Sequence, residues 1–386
     1  MEPNIERVES QDAWIIDSEA VRLALTRTGG MIAPAWFSFQ SGRSVQPYYL
    51  TPWQNEGRTL DDPVLRPLRG DFFCMPFGAN NAYGGESHNV HGEPATREWN
   101  AVGYEKSDGV TRFEAEMRTS ERPGTVRKNI TLKDSEPVIY SEHVLEGYEG
   151  PMTLGHHAIL DPKEESGGLR ISTSPFGFGV SRRFPELHNE GGEYASIASE
   201  TRFDDLRKVP TIWKEPAHTD CTVFPARPGY CDIIQIFADR SKSEMERPAW
   251  IAAVAPGERY VWFTLKNRAE LPATVFWMEN RGRHAEPWNG RTCCIGLEDV
   301  FAYAAEGLAP SAADNLAKQN GYPTTVELSP NQPATVRYIQ GVAEVPDGFD
   351  RVADIDIGEK AIELRAVSGD RVSVPVRPGF VFDGQV

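Results

Sequence analysis

Glu298 closes an apolar run, Cys293–Leu297, that follows a loop carrying Asn280, Arg281, Arg283, His284, Trp288, Asn289 and Arg291. A carboxyl group delivered by an apolar segment, beside aromatic and hydrogen-bonding side chains, suits a polar ligand with apolar faces, and sugars lead that class. Glu298 is therefore read as the reactive centre. Four further groups could serve it: Arg69, His91, the adjacent His156 and His157, and Asp161. They lie in or beside Gly- and Asn-rich segments, together with Asn81, and binding residues gather in such loops. Trp288, between Pro287 and Asn289, either stacks on a sugar ring or fills the core; Trp277, in mid-strand, reads as core. A metal is the alternative use of the histidines, through His88-x-x-His91 or the His156–His157 pair. Neighbouring residues of a strand point to opposite faces, so His156 and His157 do not reach one ion together. The site is read as metal-free.

The 386 residues carry a formal net charge of −16, with 40% hydrophobic and 25% charged residues. That balance describes a folded globular protein and argues against a nucleic-acid or anionic-membrane partner, both of which need a basic surface. Five cysteines, two of them adjacent (Cys293 and Cys294), have neither the even count of a disulfide framework nor the spacing of a zinc site. The first residues, MEPNIERVES, lack the apolar segment of a secretion signal. A cytoplasmic location with reduced thiols follows as the expectation, and oligomeric state is not legible. No G-x-S-x-G, P-loop or dinucleotide fingerprint occurs, so no cofactor is expected.

The elements that must position these residues are strands. Ala13–Thr26 reads as a hairpin turning at Asp17-Ser18-Glu19, and Met31–Phe39 continues it. Residues 68–94 read as a long loop. Val110–Arg118, Thr125–Leu132 and Val138–Leu145 alternate apolar and polar residues with a period of two. Met152–Lys163, which holds the two histidines, reads as another loop, and residues 163–230 have no assignable pattern. Asp232–Ala238, Ala249–Ala255, Tyr260–Lys266 and Ala273–Met278 are strand-like, as are Ala334–Gln340, Lys360–Ala366 and Arg371–Val376 in the tail. Ser311 can cap one helix over Ala312–Gln319. Roughly fifteen or more strands with almost no helix predict an all-β sandwich of large sheets. No linker divides it, so residues 1–386 are read as one domain.

In this order the residues resemble a known family. Arg69, an Asn-rich loop ending in His91-Gly92, the segment LGHHAILD and the late segment IGLEDV resemble the aldose 1-epimerase, or galactose mutarotase-like, proteins across residues 20–310. The resemblance implies a large antiparallel β-supersandwich and, by matching positions, Glu298 as catalytic base and His157 as acid. It also implies His91 near the sugar ring oxygen and Arg69 on a sugar hydroxyl. The activity it implies is interconversion of sugar anomers through acid/base ring opening, without a cofactor. Two departures stand beside it. The family's hydroxyl-binding Asp has no clear counterpart, with Asp204, Asp205 and Asp220 as candidates, and the PWNGR segment before Glu298 is not part of the family pattern. A non-catalytic sugar-binding protein on the same scaffold is the alternative. A sugar phosphate is a variant substrate, for which Arg281, Arg283 and Arg291 could supply cations.

Overall fold

The computed structural model describes residues 3–163, 166–182, 184 and 186–386. Two large antiparallel sheets face each other. One has nine strands, in the order Val223–Phe224, Leu169–Thr173, Ala249–Ala255, Tyr260–Lys266, Ala334–Glu344, Val138–Glu146, Gly124–Lys133, Val110–Thr119 and Asn100–Ser107. The other has seven, in the order Arg202–Phe203, Phe176–Arg182, Tyr230–Ala238, Ala273–Asn280, Cys293–Phe301, Leu154–Leu160 and Phe73–Cys74. A five-stranded sheet precedes them at Asn4–Val45, and a three-stranded sheet, Val352–Pro375, covers the outer face of the nine-stranded one. Among the described residues no helix is long and apolar enough to cross a membrane. Cys74, Cys221, Cys231 and Cys294 are buried thiols.

Alternation sorts the seven-stranded sheet into two faces. Ile234, Ile236, Phe276, Met278, Ile295 and Leu297 point between the large sheets. Their alternate neighbours, including Ile233, Val275, Trp277 and Val300, point the other way, beneath loops. Both faces are covered, so these strands read as nearly continuous apolar runs. Each large apolar side chain so buried contributes about 1.5–3 kcal/mol.

The interior also holds polar ties between the sheets. Lys266 on one sheet donates to Asp299 Oδ1 on the other at 2.5 Å, and Thr264 donates to Asp299 Oδ2 at 2.8 Å. Gln340 donates to Asp71 Oδ2 at 2.8 Å, and His156 Nδ1 lies 2.9 Å from the same oxygen.

Three local expectations change. Met152–Lys163 is not a loop: Leu154–Leu160 is a fully buried strand, whose two histidines serve opposite faces. The helix expected over Ala312–Gln319 is two short ones, Leu308–Ala312 and Leu316–Gln319. Ala313 is extended between them, and Asn315 caps the second by accepting from Lys318 N at 3.0 Å. Ser311 instead donates to the Gly307 carbonyl at 2.7 Å. Among the described residues of the unassigned stretch 163–230, Leu169–Thr173, Phe176–Arg182, Arg202–Phe203 and Val223–Phe224 belong to the large sheets, and the two-residue strands give no periodic signal.

Candidate active site

His157 and Glu298 are direct cross-strand partners in neighbouring antiparallel strands, on the loop-covered face. Residues so paired have Cβ atoms about 4.5–5.5 Å apart, and here His157 Nε2 lies 3.3 Å from Glu298 Oε1. The imidazole is held by its setting. Its backbone N–H donates to the Phe72 carbonyl at 2.9 Å, and its ring stacks on the Phe72 ring at 4.6 Å and 16°. The carboxyl lies back along its own strand over Gly296, where a Cβ would stand 2.2 Å from Glu298 Oε1. Only glycine leaves room for that close approach.

His91 reaches the pair from the loop before it. The residue has a left-handed backbone, φ 60°, and its ring centroid is 4.8 Å from that of His157, edge to face. Its Nδ1 accepts from Gly78 N at 3.4 Å, which puts the ring proton on Nε2. Burial sets the protonation of all three groups. It pushes the Glu298 carboxyl well above its ordinary range. It pushes His157 well below the ordinary histidine value, with neighbouring His91 adding to the effect, and lowers His91 to about 3. Both shifts favour the uncharged forms of the two groups, a protonated carboxyl beside a neutral imidazole.

Linkage turns this into a stability prediction. His91, His157 and the core residue His143 have folded-state values below their unfolded value of 6.5. Above that pH the imidazoles are neutral in both states and their contribution is complete. As the pH falls below 6.5, the unfolded chain takes up protons that the folded chain refuses, and stability drops. Thermal unfolding of the Glu298→Gln variant, which lacks the carboxyl of opposite sign in this cluster, should show a midpoint that declines between pH 7 and about pH 4. A midpoint flat over that range would mean that these rings are solvated.

The pair forms part of a cavity that opens to solvent and holds about 550 Å3 of space with its open mouth included. Trp277, Trp288, Phe184 and Ile233 supply apolar walls; Asp62, Glu186, Arg283 and His91 supply the other polar groups. Trp288 is buried and packs edge-on against both Trp53 and Trp277. Trp277, expected only in the core, is also a wall of the cavity.

The remaining sequence candidates lie elsewhere. Arg69 is fully buried, but its guanidinium is consumed by the carbonyls of Pro67, Val8 and Glu9 and by Gln54 Oε1 at 2.7–3.1 Å. It ties the first strands to the following loop and does not line the cavity. Asn81 bridges loops, donating to the Glu306 carbonyl at 2.6 Å and accepting from Ala309 N at 3.0 Å. Asp161 pairs with Lys163 at the surface. Asp205 holds Arg207, Asp220 accepts from Thr222 N, and neither they nor Asp204 line the cavity. His88 pairs with Glu86 at 2.9 Å, away from His91. Asp62 and Glu186 were not singled out by the sequence, and Arg283 was weighed only as a phosphate ligand. Positions 62, 186 and 283 come from three separate loops, and no local pattern joins them.

Two facing antiparallel sheets, with the cavity over the middle of the smaller one, define the galactose mutarotase-like β-supersandwich. Among solved structures, a galactose mutarotase-like protein from Clostridium acetobutylicum matches with TM-score 0.61 at 10% identity, over 89% of this chain and 99% of its own. A galactose mutarotase related enzyme from Lactobacillus acidophilus matches at 0.52 and 10%, over 87% and 98%. The Slr1438 protein of Synechocystis sp. PCC 6803 matches at 0.55 and 12%, over 89% and 98%. At such identities the likeness is one of fold. Neither a family model nor a curated protein matches the sequence.

Proposed function

We propose that this protein is an aldose 1-epimerase-like isomerase that interconverts the anomers of a sugar. The observation that carries this reading is the 3.3 Å contact between Glu298 and His157 in an aromatic-walled cavity. Anomer exchange requires removal of the proton on the anomeric hydroxyl and delivery of a proton to the ring oxygen. Both oxygens are bonded to the same carbon, so an acid and a base in mutual contact address both. Transfer of the shared proton across the contact gives the carboxylate–imidazolium form. Glu298 then takes the hydroxyl proton, His157 protonates the ring oxygen, and the bond between the anomeric carbon and that oxygen breaks. After the aldehyde rotates, the same steps in reverse close the ring on its other face and restore the pair. The Nε2–H of His91, beside His157, stabilises charge developing on the ring oxygen. Trp288 and Trp277 offer apolar surfaces for the sugar faces.

The active pair is the one holding a single proton. Acid abolishes it by adding a second proton to His157, and alkali by removing the last one from Glu298. Burial moves the first event down from 6.5 and the second up from 4.5. Exchange is therefore expected to show a pH plateau that falls off in acid and in alkali, with its acid limb below the ordinary histidine value. Saturation-exchange NMR on a panel of aldoses tests both statements. No acceleration above buffer for any aldose, with sugar binding intact, would leave a binding protein in place of an enzyme.

A further inference from the structure

The cavity contains a second charged pair that the ring-opening chemistry does not use. Arg283 Nη2 lies 2.7 Å from Glu186 Oε2, and both residues line the same space as Glu298 and His157. The guanidinium is fixed: its centre is 4.2 Å from the Trp288 ring and 5.1 Å from that of Phe184. Its backbone is anchored as well. Glu279 Oε1 accepts from Gly282 N at 2.9 Å and Arg283 N at 3.2 Å. Glu193 accepts from His284 N and Ala285 N, at 2.6 and 2.9 Å, and from His188 N at 3.0 Å, which joins this loop to the one bearing Glu186. Arg283 Nε is buried and has no partner among the described residues. Donor and acceptor thus stand side by side at fixed positions.

We infer that Arg283 and Glu186 form a diol clamp that selects neutral sugars, the guanidinium donating to one sugar oxygen while the carboxylate accepts from the adjacent hydroxyl. The clamp rests on the proposal that this cavity is a sugar site. Charge sets its selectivity. The guanidinium already faces the Glu186 carboxylate, and Asp62 adds another carboxylate to the lining. Arg291, a further potential phosphate ligand, is committed to Glu56, with Nη2 3.0 Å from Oε2. A phosphate or a uronate entering this space meets uncompensated negative charge, whereas a neutral diol satisfies both partners.

The test uses neutral aldoses, their 6-phosphates and the matching 1,5-anhydrohexitols, which keep the vicinal hydroxyls but cannot open. Calorimetry reads binding and saturation exchange reads turnover. Anhydrohexitols should bind the wild type, and phosphates at least about tenfold more weakly. Glu186→Gln, at a partly exposed position, and Arg283→Met should each raise KM and the anhydrohexitol Kd by about ten- to hundredfold, with kcat little changed. Arg283→Lys should fall between, since an ammonium retains the charge but not the planar fork. Unchanged KM and Kd in both variants, tighter binding of a phosphate, or no binding of any anhydrohexitol by the wild type would overturn the clamp. Clamp-dependent anhydrohexitol binding without any anomer exchange would support the clamp and refute the isomerase reading alone.

Discussion

Glu298→Gln should slow anomer exchange by about 10²–10⁴-fold, the range for loss of a positioned general acid or base, and should at the same time make the protein harder to unfold. The amide retains the shape that fits over Gly296 and can still meet His157, but it cannot exchange a proton. The stability gain follows from burial. Because the folded-state value of Glu298 lies above its unfolded value of 4.5, its contribution is complete below that pH. As the pH rises toward the folded value, the unfolded chain ionises freely while the folded one must keep its proton or bury a charge, and stability is lost. Glutamine has no such penalty. The variant's unfolding midpoint should therefore exceed that of the wild type by a margin that widens from pH 5 to pH 8, reaching about 0.5–2 kcal/mol. Retention of most of the exchange rate would remove Glu298 from the mechanism. A margin that does not change with pH would mean that the carboxyl is solvated.

Lys266→Met should produce the largest loss of stability. The Lys266 ammonium donates to Asp299, Thr274 and the Ala273 carbonyl at 2.5–2.8 Å, wholly inside the sandwich. Removing it leaves the Asp299 carboxylate buried with only hydroxyl donors, a change that costs about 3–5 kcal/mol. The double variant Lys266→Met with Asp299→Leu should recover much of that loss, because an apolar pair replaces the charges and what loses a partner is neutral: the threonine hydroxyls and the Ala273 carbonyl. Urea unfolding midpoints of the three proteins decide the matter. A single variant within about 1 kcal/mol of the wild type would show that the pair behaves as a surface ion pair.

The strands legible in the sequence were those with one polar edge or a long apolar run. Val110–Thr119 and Gly124–Lys133 alternate cleanly, and Ala273–Asn280 is buried throughout and carries the apolar run Val275–Met278. Leu154–Leu160 was missed because its glycine and paired histidines imitate a loop, although both histidines are buried. The proximity of Glu298, His157 and His91 was legible because the resemblance rests on residue types within short motifs, and the three do converge. Arg69 shows the limit of that logic. The letter fits the motif, but the guanidinium turns back onto carbonyls of the first strands, and nothing local in the sequence reveals the direction of a long side chain. Arg283 and Glu186 lie 97 positions apart and meet only through folded loops.

The His157–Glu298 pair and the polar core are interleaved along the same two strands. His157 sits opposite Glu298, and the next pair, His156 opposite Asp299, turns to the other face. Were either strand to slip by one residue, its side chains would all exchange faces. Glu298 or His157 would then enter the space between the sheets, and Asp299 or His156 would take its place in the cavity. The proposed anomer exchange would cease in the same step that broke the inter-sheet ties. Recovered activity after refolding from denaturant should therefore count the chains that have regained correct register, and a compact but mispaired fraction would be catalytically silent.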